Sequence, residues 1–161
     1  MIVTLTPNPG IDRTIAVPAL VRGSVMRATD SREDPGGKGL NVSRALTLNG
    51  TPTKAVLPIG GVYGGVMLDL LHEQQIDVVP VTIAGSIRVN VAVVEPDGTT
   101  SKLNEQGPCF TADEVEALRA ATLGASSGAG WVVCCGSLPP GIDDDFFAAT
   151  LSIGKIFDNF Q

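Results

Sequence analysis

The run Asp34-Pro35-Gly36-Gly37-Lys38-Gly39-Leu40-Asn41-Val42-Ser43-Arg44 constrains this chain more than any other stretch. Three glycines in four residues remove every Cβ that would hold a ligand off the backbone, and an apolar helical pattern follows at once. A junction of this kind brings a small polar ligand against main-chain N–H groups at a helix start. Leu40, Val42, Ala45, Leu46 and Leu48 predict a helix that stops at Asn49-Gly50, a good terminating pair. Asn41 falls in its first turn, so its amide is expected to point back toward whatever the glycines hold. A classical P-loop is excluded. Arg32 stands where the glycine five residues before Gly37 should be, and Gly39 stands where Ser or Thr should follow Lys38.

Composition narrows the partner. At 161 residues and 43% hydrophobic content the chain has the size and apolar material of one ordinary domain. A formal net charge of -6, with only 11 Lys and Arg in scattered positions, argues against a nucleic-acid or anionic-membrane surface. A diffusible small molecule is the expected partner. Met1–Leu5 runs directly into Thr6-Pro7-Asn8-Pro9, leaving no long apolar run for a signal peptide or membrane span, so a cytoplasmic location is expected. Cys109, Cys134 and Cys135 form no CxxC pair and read as buried thiols. His72, the only histidine, reads as a surface helix position, so a His-based metal site or a Ser-His-Asp triad has little to build on.

Taken in order, Met1–Leu5 reads as a buried first strand, and Asp12 as an acid just past its carboxyl end, where open α/β sheets place their ligand crevice. A turn-forming aspartate is the plain alternative. Thr14–Val17 and Val25–Thr29 read as two strands of a small accessory sheet. Arg22, Arg27 and Arg32 recur along it, either as anion contacts or as a solvated basic edge. Thr53–Pro58 predicts a strand, and Gly60-Gly61-Val62-Tyr63-Gly64-Gly65 a turn into a helix over Val66–Gln75. Asp77–Ile83, Arg88–Val94 and Thr99–Leu103 read as strands, the last two joined by the hairpin turn Glu95-Pro96-Asp97-Gly98. Arg88 and Asn90 fall on one face of theirs.

Thr111-Ala112-Asp113-Glu114 is a capping box opening a helix to about Leu123. Trp131–Cys135 is an apolar run short enough for a fully buried parallel strand, and Gly136-Ser137-Leu138-Pro139-Pro140-Gly141 is a crossover at its carboxyl end. Ser137 can donate to a ligand hydroxyl there, but lacks the GxSxG context of a nucleophile. Asp143-Asp144-Asp145 suits a helix N-terminus. Together these segments predict a three-layer α/β domain with a mostly parallel sheet.

Thr6-Pro7-Asn8-Pro9 with Asp12, Gly36-Gly37-Lys38-Gly39-Leu40-Asn41-Val42, Gly60-Gly61 with Gly64, Arg88-Val89-Asn90, Asn104-Glu105-Gln106-Gly107-Pro108 and Gly136-Ser137-Leu138-Pro139-Pro140-Gly141 resemble, in order, the motifs of the phosphofructokinase B family. The nearest resemblance is to 1-phosphofructokinases and tagatose-6-phosphate kinases. It implies a ribokinase-like fold whose β-sheet lid closes over a sugar, with strands within about 13–33 and 88–103. It also implies ATP and Mg²⁺ as the means of phosphorylating a sugar hydroxyl, with a phosphorylated ketose such as fructose 1-phosphate as acceptor. On the matched positions, Asp12, Gly36, Gly37, Lys38 and Asn41 would bind the sugar, Arg88 and Ser137 would hold its phosphate or neighbouring oxygens, and Arg27 would add a phosphate contact from the lid. A homodimer through paired lids is a further implication.

The resemblance covers the first half of the family pattern, residues 1–150. The Asn-x-x-Glu motif that organises magnesium and the Gly-Ala-Gly-Asp motif carrying the catalytic aspartate are absent from the sequence, and Gly128-Ala129-Gly130 is followed by Trp131. Residues 151–161 form an atypical tail without the next strand pattern. Without nucleotide site and base, activity of the chain alone is not expected. A non-catalytic sugar-phosphate-binding or dimerising module is the second reading, and a kinase of nucleosides or unphosphorylated sugars the third.

Overall fold

Apolar runs alternating with amphipathic segments build two sheets with different tasks. The structure, a computed structural model, describes residues 1–153. Among them the first sheet has the order β5-β4-β1-β8, from β1 (Ile2–Leu5), β4 (Thr53–Ile59), β5 (Val78–Thr82) and β8 (Trp131–Cys134), with every neighbouring pair parallel. The second, smaller sheet, the candidate lid, has the order β3-β2-β6-β7, from β2 (Gly10–Ala16), β3 (Asp30–Gly36), β6 (Arg88–Val94) and β7 (Thr100–Asn104).

The parallel sheet is covered by α1 (Lys38–Leu48), α2 (Gly61–Glu73) and α3 (Ala112–Ala125), with α4 (Phe146–Ile153) against α3. Chain order steps from β1 to β4 to β5 and then returns past β1 to β8. Right-handed crossovers therefore put α1 and α2 on one face and α3 on the other, giving the three layers. Val3, Leu5, Val56, Leu57, Met67, Leu118 and Phe146 fill the core at 0–1% exposure. Each such side chain stabilises the fold by about 1.5–3 kcal/mol. One polar thread crosses this apolar layer: the Thr4 and Ser43 hydroxyls meet at 2.8 Å and those of Ser43 and Thr53 at 3.1 Å, fastening α1 onto β1 and β4.

Several elements depart from expectation. Val25–Thr29 is not a strand; the lid's third strand is Asp30–Gly36, whose sequence DSREDPG has no apolar alternation. It survives as an edge strand because β2 supplies its partner along its whole length, and an edge tolerates Pro35. Asp12 lies within β2, not in a loop beyond β1. Helix α2 opens at Gly61 rather than Val66, so the glycine run is its first turn. Strand β8 is parallel to β1 as expected but forms a sheet edge instead of a fully buried strand, with Trp131 63% exposed. Cys109 is exposed, whereas Cys134 and Cys135 are half-buried. His72 is on the exposed face of α2. The capping box is present in full: Glu114 N–H donates to Thr111 Oγ1 and Thr111 N–H to Glu114 Oε2. Of the tail, 151–153 belong to α4, and the remainder lies outside the described residues.

Candidate functional site

Cross-strand register decides what the lid shows to the sheet. Asp12 pairs with Asp34 on one side and Asn90 on the other, and Asn90 pairs with Asn104. One row of the lid therefore reads Asp34, Asp12, Asn90, Asn104 across four strands. The next row on the same face, two residues further along β2, reads Arg32, Thr14, Ala92, Lys102. This polar face and the first two turns of α1 enclose a cleft of about 580 Å³, with Asn41 and Arg44 on the helix side. Glycines let the walls approach. The Asp12 carboxylate lies over Gly36, where an added Cβ would stand 2.5 Å from its oxygen. Gly37, with φ +148°, turns the chain from β3 directly into α1 and passes against the Thr6 methyl.

The polar side chains are held in place. Asn90 Nδ2 donates to Asp12 Oδ1 at 2.9 Å. Arg44 joins three elements, donating to Asn41 Oδ1 at 2.9 Å, Pro35 O at 2.7 Å and Gln74 Oε1 at 2.8 Å. Because Asn41 Oδ1 accepts from Arg44, its amide N–H groups remain available to a sugar oxygen. Arg32 is paired with Asp34 at 2.7 Å. On the reverse face Arg13 is bound to Glu33, which raises the arginine pKa.

A second cleft of about 470 Å³ opens where Arg88, Asn8, Gln106 and Ser137 meet. Arg88 Nη1 donates to Glu105 O at 3.0 Å and Nη2 to Asn8 O at 3.1 Å, while Glu105 Oε2 accepts the Val89 N–H at 2.9 Å. Four buried side-chain atoms on these segments have no hydrogen-bond partner: Thr6 Oγ1, Asn8 Oδ1, Arg88 Nε and Asn90 Oδ1. Buried polar atoms are ordinarily paired, so such a concentration sets this region apart from the rest of the core. Burial disfavours the thiolate form of both cysteines at the end of β8. Burial pushes Cys134 up to about 11, and burial also raises Cys135 against the opposing charge of Lys38.

The candidate residues thus divide. Asp12 and Asn41 line the first cleft, with Gly36 and Gly37 forming the turn beneath; Arg88 and Ser137 line the second. Lys38 is exposed at the start of α1, on the Cys135 side. Arg27 is in the exposed segment between β2 and β3 and lines neither cleft. Asn8, Arg44, Lys102 and Asn104 line these clefts although sequence reasoning did not name them as binding residues. Asn8 had a signal in the Thr6–Pro9 motif, Asn104 in the Asn104–Pro108 motif and Arg44 in the run that begins at Asp34; Lys102 had none.

A mostly parallel α/β sheet joined to a second small sheet with a polar face is the ribokinase-like fold, and the chain belongs to the pfkB family of carbohydrate kinases, whose family model matches residues 6–159. Among curated proteins it is 35% identical over 155 residues to an ATP-dependent 6-phosphofructokinase isozyme 2 of Mycobacterium tuberculosis, covering 94% of this chain and 45% of that protein. Among solved structures, Escherichia coli phosphofructokinase-2 in complex with fructose-6-phosphate superposes with a TM-score of 0.87 at 29% identity, covering 96% of this chain and 51% of that one. A possible 1-phosphofructokinase from Thermotoga maritima gives 0.86 at 28%, with 96% and 50% covered. The chain spans about half the length of the relatives it matches.

Proposed function

We propose that this chain is the acceptor-binding half of an ATP-dependent kinase whose substrate is a ketohexose monophosphate, fructose 1-phosphate or a close relative. The observation that carries the reading is a pair of polar clefts. The first sets Asp12, Asn90 and Asn41, which suit sugar hydroxyls, among the basic side chains Arg32, Arg44 and Lys102. The second sets Arg88 and the Ser137 hydroxyl, which suit a phosphate, beside one acid, Asp144. A phosphoketose offers hydroxyls and one dianionic end, and partners for both are present.

The contribution of these residues is positioning. Holding the acceptor hydroxyl in line and dry accounts for much of the catalysis of phosphoryl transfer. Among the described residues no group of three or more His, Cys, Asp or Glu side chains is arranged to hold a metal ion. On the family resemblance, this reading leaves ATP, Mg²⁺ and the catalytic base to the part of the relatives' length that this chain does not span. A cytoplasmic location belongs to the same reading.

The test is calorimetric titration of the 161-residue chain with fructose 1-phosphate, fructose 6-phosphate, tagatose 6-phosphate and fructose. Saturable binding of a phosphoketose, tighter than that of fructose, is expected, and no binding of any phosphoketose would overturn the reading. A reading frame that continues into a Gly-Ala-Gly-Asp motif, and whose product releases ADP with the same sugar, separates the kinase from a purely binding module.

A further inference from the structure

We propose that Asn8 is a positioning residue that presents the Ser137 hydroxyl and the Arg88 guanidinium to the phosphate of the bound sugar. The inference rests on the phosphoketose reading above. Asn8 is only 5% exposed and stands between Pro7 and Pro9, whose rings fix φ on either side, in the short link from β1 to the lid strand β2. Its Nδ2 carries two protons. One goes to Gln106 O at 2.9 Å and the other to Ser137 Oγ at 3.1 Å. A main-chain carbonyl can only accept, so the Gln106 contact fixes the amide orientation, and the second proton must then face Ser137.

The polarity of that second bond matters. Ser137 Oγ is engaged as an acceptor, which leaves its own proton free to turn toward a ligand. A phosphate, which offers only acceptors at its ionised oxygens, requires such a donor. The Asn8 main-chain carbonyl meanwhile takes Arg88 Nη2 at 3.1 Å, and Glu105 O takes Nη1 at 3.0 Å. The guanidinium is braced by two carbonyls of the loops flanking the second cleft, with Nε buried and unpaired. Gly107, at φ +98°, completes the nest, because a side chain there would overlap Asn8 Oδ1. One residue therefore governs both donors, although a sugar need not touch it.

Asn8→Asp keeps the shape but turns the donor into an acceptor that draws the Ser137 proton inward. It should weaken phosphoketose binding by about 10- to 100-fold and leave fructose binding unchanged. Asn8→Ala removes the donor without adding charge. In a Ser137→Ala background it should cost much less than in the wild type, because the group it orients is already gone. Side-chain amide NMR of the wild type adds a measurement that no folding defect can confound: the Asn8 amide protons should exchange with solvent far more slowly than those of exposed Asn104. Equal exchange, full additivity with Ser137→Ala, or an equal loss for fructose and phosphoketose would each overturn the inference. Wild-type chain that binds no phosphoketose overturns the phosphoketose reading and this inference with it; phosphoketose binding that survives Asn8→Asp overturns the inference alone.

Discussion

Asp12 is shaped by its neighbours from two directions. Asn90 Nδ2 holds one carboxylate oxygen at 2.9 Å, and the bare Cα of Gly36 gives the group room to lie flat against the turn. Gly36→Ala should push the carboxylate off this seat while leaving the lid strands paired. The expected outcome is a loss of about 1.5–3 kcal/mol in phosphoketose binding, the worth of a hydrogen bond to a charged group, with the melting transition still cooperative. Calorimetry at unchanged affinity would show that Asp12 does not serve the sugar. Asp12 was legible from sequence, although for the wrong location, because an acid near a glycine-rich turn is a local signal. Lys102 carries no such signal. It reaches the first cleft only through the register that sets it beside Ala92 and Thr14, and register is a property of paired strands.

At the scale of elements, the legible ones carry their instructions internally. The capping box sets the start of α3, and the Asp97-Gly98 turn sets the β6–β7 hairpin, where Gly98 N–H donates to Glu95 O at 2.9 Å. Strand β3 was missed because nothing in DSREDPG resembles a strand until β2 lies beside it. Likewise Trp131–Cys134 carries no information on which side of it will be covered.

Glu114 does more than cap. Its Oε1 accepts the Ala84 N–H at 2.7 Å, tying α3 to the loop before β6, and its pKa is lowered chiefly by the Thr111 N–H and then by that of Ala84. A carboxyl with a depressed folded pKa contributes stability above its unfolded value, here 4.5, and loses it as pH falls through the folded value. Glu114→Gln should therefore lower the melting midpoint at neutral pH and flatten its decline below pH 4.5. Parallel acid limbs in thermal denaturation of the two proteins would contradict this.

At the scale of the whole molecule, the second sheet has one face on the first cleft and apolar residues at its periphery. Leu20 at 39%, Val21 at 50%, Val25 at 98% and Leu103 at 66% exposure belong to lid segments. Such exposure suits burial against a second copy, and a lid-paired homodimer is our expectation. Sedimentation at micromolar concentration should give a dimer that Val25→Asp with Leu103→Asp converts to monomer. A monomer in the unaltered chain would remove the lid pairing from consideration.

The exposed edge strand β8 has a practical consequence of a different kind. Trp131, its first residue, is the single tryptophan of the chain, and it lies with 63% of its surface in solvent at the margin of the parallel sheet. The protein's ultraviolet emission is thus a report from one place. It should sit at the long-wavelength, quenchable end of the range while that margin is wet, and move to shorter wavelength when another polypeptide covers it. Assembly at this edge can be followed without a label, and independently of anything that happens in either cleft.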